Sequence, residues 1–78
     1  RLENRLLVMQ NEDVPGVIGQ VGTIMGAYDV NIGEWRMGRA EPGQPALSFI
    51  SLDTAPSEAA LNALGNIKAA TLVKLIEL

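Results

Sequence analysis

Short apolar runs and one-sided apolar stripes alternate along this chain. Leu6-Leu7-Val8-Met9 is an apolar run bounded by polar residues and reads as a buried strand. Pro15-Gly16 breaks the backbone. Val17, Val21, Ile24, Met25 and Tyr28 then recur at the spacing of a single helix face. Asp29-Val30-Asn31 makes the exit turn, and Ile32 to Arg39 reads as a second strand with Trp35 and Met37 on one face. The segment from Arg39 to Pro45 carries dense turn signals and predicts a hairpin loop. Ala46 to Leu52 is the third strand, and Asp53 to Pro56 connects it to a helix opening at Ser57-Glu58. That helix carries Ala60, Leu61, Leu64 and Ile67 inward and ends near Gly65-Asn66. Thr71 to Ile76 is the last strand.

The order is therefore β-α-β-β-α-β, an α+β chain of the split βαβ, ferredoxin-like kind. Right-handed crossovers put both helices on one face of a four-stranded antiparallel sheet. The other face is left open, with Trp35 or Phe49 as candidates to lie on it, and an open face or edge favours association.

The junction between the first strand and the first helix, Asn11-Glu12-Asp13-Val14-Pro15-Gly16-Val17, collects polar groups at a helix N-terminus. Unpaired N–H groups and the positive end of the helix dipole favour anions there. Asp13 or Val14 falls in the N-cap region, and Pro15 suits the first helical position because its missing N–H would be unpaired anyway. Gly22 and Gly26, one turn apart, suggest a close crossing against another backbone.

Composition narrows what such a fold could do. Seventy-eight residues make one domain, residues 1–78, with a modest core that gains from a partner surface. No apolar run approaches membrane-spanning length, and no signal-peptide pattern is present. The chain starts at Arg1, which suggests a piece of a longer protein. Six basic against nine acidic residues leave a net charge of −3 without a basic stripe, which argues against nucleic acid. The Gly19-Gln20-Val21-Gly22 run matches the Gly-x-x-Gly of KH-type RNA-binding domains, but it lacks the positive charge that clamping RNA needs, with acids and no base nearest on either side, and Val21 belongs to the helix stripe. Neither a dinucleotide-binding nor a P-loop glycine pattern occurs.

Cysteine and histidine are both absent, which removes thiol chemistry, soft metal ligands and the commonest general base. A reducing, cytoplasmic setting is compatible with that. Ser48, Ser51 and Ser57 have no partner positioned to activate them, and Asp13, Asp29 and Glu34 match no metal-binding loop. We expect no catalytic residue and no metal site.

A small zwitterion is different. An amino acid needs an anion for its ammonium group and donors for its carboxylate. Asp13 can supply the first; the amides around Gly16 and Val17 and the side chain of Asn31 can supply the second. Gly16 lets a ligand approach the backbone closely. The first turn and the second strand would lie close at one end of the sheet, or meet across a two-fold interface. Capping and turn-making account for the same residues, so both readings stand on the residues alone.

From Leu6 onward the chain resembles an ACT domain. The carrying residues are Asp13-Val14-Pro15-Gly16-Val17-Ile18, Val21-Gly22-Thr23-Ile24-Met25-Gly26 and Val30-Asn31-Ile32. Trp35-Arg36-Met37-Gly38-Arg39, Glu41-Pro42-Gly43 and Ala46-Leu47 make it most similar to the C-terminal regulatory domain of D-3-phosphoglycerate dehydrogenase. The resemblance implies a feedback sensor for L-serine that forms homodimers through edge strands. In such pairs the ligand lies at the interface, between the first turn of one subunit and the other subunit. It carries ligand-binding roles onto Asn11, Asp13 and Asn31, with Val14, Pro15, Gly16 and Val17 forming the turn. Some relatives carry histidine or tyrosine where this chain has Asn11, and Gln44-Pro45 stands where they often have Gly-Gly or Gly-Glu. NAD is implied for the catalytic part of a parent enzyme, not for this domain. An ACT domain of another amino-acid enzyme, such as L-serine dehydratase, and a ligand-free dimerisation module are the alternatives.

Overall fold

The computed structural model describes residues 5–39, 41 and 43–77. Its elements are β1 (Arg5–Asn11), α1 (Val17–Ala27), β2 (Ile32–Gly38), β3 (Ala46–Leu52), α2 (Glu58–Gly65) and β4 (Ala70–Glu77), in the order read from the periodicity. The four strands form one antiparallel sheet in the order β2-β3-β1-β4, which leaves β2 and β4 at the edges. Alternation along the central strands sorts the faces. Leu7 and Met9 of β1 and Ile50 and Leu52 of β3 are buried, and they join Val17, Val21 and Met25 of α1 and Ala60 and Leu64 of α2 in one core. Leu6, Val8, Leu47 and Phe49 alternate to the opposite, open face.

Phe49 is exposed on that open face, as expected. Trp35 is not: it pairs with Ile50, so it shares the helix-side face and packs against the core. Edge position explains the ambiguity, since a half-covered edge strand shows weak alternation.

Both helices owe their ends to specific residues. The Ser57 side chain accepts a hydrogen bond from the Ala60 N–H at 3.0 Å and caps α2. At the far end of α1, Asp29 takes the left-handed conformation at φ 58°. Its N–H donates to Gly26 O and that of Val30 to Met25 O, which is a Schellman motif with two buried apolar residues, Met25 and Val30, behind it. The motif ends the apolar stripe at Met25, so Tyr28 is an exposed C-cap rather than a core residue. In the β2–β3 hairpin the Gln44 N–H donates to Glu41 O, and Gly43 sits at φ 86°; Ala40 and Pro42 of that loop lie outside the described residues.

The suggested crossing at Gly22 and Gly26 is not made within this chain. Both glycines are exposed, and a Cβ built on either meets nothing within 4 Å. Gly22→Ala is therefore expected to stabilise the fold by about 0.5–1 kcal/mol through backbone entropy. Urea denaturation measures it, and a destabilisation instead would show that something packs on this face.

Candidate functional site

The β1–α1 junction is built by backbone bonds at both of its ends. The Glu12 N–H donates to Ala69 O at 2.8 Å, which ties the turn to the start of β4, and the Val14 N–H donates back to Glu12 O at 2.9 Å. Thr71 is the extra residue where β4 shifts register against β1, and its hydroxyl donates to Gln10 O. These bonds hold the chain as it leaves the sheet.

Neither Asp13 nor Val14 caps α1, and Pro15 is not its first helical residue. Gly16 is the N-cap, at φ 91°, and the helix starts at Val17. A left-handed N-cap suits glycine because any Cβ there would crowd the backbone, and it leaves Asp13 too far upstream to cap. The Gln20 N–H closes the first helical bond to Gly16 O. No side chain caps the earlier amides, and no acidic residue lies in the first turn. In contrast, α2 is capped by Ser57 and carries Glu58 in its first turn.

Asp13 is free to act elsewhere, and its carboxylate Oδ2 lies 3.0 Å from Nη1 of Arg39, the residue that follows β2. Arg39 was not among the residues singled out for the site. Local spacing holds no signal for it, because 26 positions separate the two and only the strand order brings them together. Both side chains are substantially exposed, 37% for Asp13 and 47% for Arg39, so the pair adds only about 0–1 kcal/mol to stability.

Asn11 and Asn31 have different fates. Asn11 is buried at 5% exposure, and its Nδ2 donates to Glu12 O at 2.7 Å. It shapes the turn from inside. Asn31 is exposed, with its carbonyl accepting from the Asp53 N–H at 2.9 Å. It stands at the wrong end of the sheet to join Asp13 within one chain. Asn11 pairs with Ala46, whereas Ile32 pairs with Leu52, six residues further along β3; at strand rise this is roughly 20 Å. Of the two arrangements left open by the sequence, the one within a single chain is therefore excluded. Asp13, Asp29 and Glu34 are not gathered either: among the described residues no three acidic side chains cluster as a metal site. No helix among the described residues is long and apolar enough to cross a membrane.

Solved structures match this architecture. The ACT domain of GTP pyrophosphokinase from Chlorobium tepidum superposes with a TM-score of 0.66 at 14% identity, over 92% of this chain and 95% of that one. The chain folds as an ACT domain. The regulatory subunit of aspartate kinase from Thermus thermophilus, in its ligand-free form, gives a TM-score of 0.71 at 19% identity, over 96% of this chain and 51% of that one. No protein-family model matches the chain.

Its sequence relatives include D-3-phosphoglycerate dehydrogenases. The Bacillus subtilis enzyme is 38% identical over 73 residues, covering 94% of this chain. A chloroplastic enzyme of Arabidopsis thaliana is 37% identical over 68 residues, covering 87%, and that of Methanocaldococcus jannaschii is 34% identical over 76 residues, covering 94%. The chain spans 14% of the length of the Bacillus relative and 12% of the Arabidopsis one.

Proposed function

We propose that this ACT domain senses L-serine and regulates a D-3-phosphoglycerate dehydrogenase of which it is a C-terminal part. One observation carries the reading: α1 begins with uncapped amides behind a left-handed Gly16, with the Asp13 carboxylate close upstream. Donors for a carboxylate and an acceptor for an ammonium group thus fall within a few residues of one another along the chain. The dehydrogenase relatives support the choice of serine, the amino acid that such a domain would monitor in controlling its own pathway. The catalytic residues and NAD of that enzyme would belong to the rest of the parent chain.

Each chain would hold half a site. A two-fold axis that pairs β2 edge to edge with a second copy runs the two strands antiparallel. The start of one β2 then lies beside the end of the other. Asn31 of the partner subunit is thereby carried toward the end of the sheet where Asp13 and Gly16 stand. Pairing through β4 would leave Asn31 at the far edge, so β2 is the edge we propose for the homodimer. Serine bridging two subunits would stabilise one relative orientation, and tethered catalytic domains would follow it to the extent that serine prefers that orientation.

Calorimetric titration with L-serine tests the reading, and mixing variants tests the shared site. Asp13→Ala and Asn31→Ala should each bind poorly alone. Their heterodimer has one doubly altered site and one intact site, so refolding them together should restore binding to about half of the heterodimer sites. A site lying within one chain would show no recovery. A dimer that ignores serine altogether would leave a dimerisation module.

A further inference from the structure

Arg39 contacts the one carboxylate that the sensing reading assigns to the ligand. Among the described arginines, Arg5 lies 3.8 Å from Glu77 and Arg36 lies 2.9 Å from Glu34, so each pairs with an acid in or beside its own stretch of sheet. Arg39 instead reaches from the end of β2, across the start of β3, to the turn that follows β1. It also borders a groove on the sheet, together with Gln10, Pro45 and Phe49, and its side chain is 47% exposed.

We propose that Arg39 is the specificity residue of this site, exchanging Asp13 for the carboxylate of an α-amino acid. The proposal rests on the sensing reading and deepens it. An ammonium group that binds the Asp13 carboxylate shares its single negative charge with the guanidinium now 3.0 Å away, so two cations then face one anion. A ligand carrying only an amine offers nothing in return. A zwitterion does: its ammonium pairs with Asp13 while its carboxylate pairs with Arg39, and the planar fork of the guanidinium matches a carboxylate with two parallel hydrogen bonds. One ion pair becomes two, with no charge left unmatched. The site thereby selects molecules that carry an ammonium and a carboxylate group on one carbon.

L-Serine and L-serinamide separate this role from simple support of Asp13, because both carry the ammonium group and only serine carries the carboxylate. Wild-type protein should bind serine at least tenfold more tightly than serinamide by calorimetry. In Arg39→Gln, serine binding should fall by about ten- to hundredfold while serinamide binding holds or improves, so the preference collapses toward unity. Arg39→Lys, which keeps the charge without the fork, should recover part of the preference. Circular dichroism should show an unchanged fold, since the pair is exposed. Equal losses for both ligands in Arg39→Gln would mean that Arg39 only positions Asp13, and unchanged serine binding would mean that it has no part; either overturns the proposal and leaves the sensing reading intact. A wild-type protein that binds no serine overturns both.

Discussion

Asp13→Ala is expected to weaken L-serine binding roughly ten- to hundredfold while leaving the fold almost unchanged. The binding estimate follows from a lost charge-assisted hydrogen bond, worth about 1.5–3 kcal/mol. The stability estimate follows from exposure: the Asp13–Arg39 pair is open to water, and such pairs contribute about 0–1 kcal/mol. Asp13 also makes no cap, because Gly16 occupies that position. Calorimetry and thermal melts on one sample check both parts. A variant that binds serine like the wild type would exclude Asp13 as the ammonium partner. A variant that unfolds would instead make Asp13 a structural residue of the turn.

Ile50→Ala should have the largest effect on stability, about 2–5 kcal/mol. Ile50 is fully buried on β3, opposite Leu7 of β1 on one side and Trp35 of β2 on the other. Truncation removes apolar contact and leaves a cavity beneath both helices, which the strands cannot close without giving up their pairing. A chain of 78 residues has a total stability of roughly 4–12 kcal/mol, so the loss consumes much of it. The adjacent Phe49 points to the open face and is 42% exposed. Phe49→Ala should cost only about 1 kcal/mol or less. Urea denaturation of the two variants compares the faces directly, and equal losses would mean that the open face is covered in solution.

Much of the fold is legible along the chain because its signals are short-range. The apolar stripe from Val17 to Met25, the extent of β3 from Ala46 to Leu52 and the Ser57 start of α2 each depend on a few neighbouring residues. The turn between β1 and α1 was legible for the same reason: proline, glycine and acidic residues act on the backbone beside them. Local rules also misled there. Asp13 stands within a few residues of a helix start, as a capping residue would, but the left-handed Gly16 moves the cap downstream. Trp35 reads as readily for one face as for the other until its pairing with Ile50 is known.

By itself the sequence determined the order of elements and the fold class they build. Those depend on side-chain period and backbone preference, which act over one or two turns. Only the tertiary structure decided that Asn11 is buried, that Asp13 meets Arg39, and that Asn31 lies at the opposite end of the sheet. These follow from strand order and register, which join residues 20 or more positions apart and leave no mark on local spacing. Asp13 follows the strand end that pairs with Ala46 and Asn31 precedes the one that pairs with Leu52, so the length of β3 separates them and they cannot share a site within one chain.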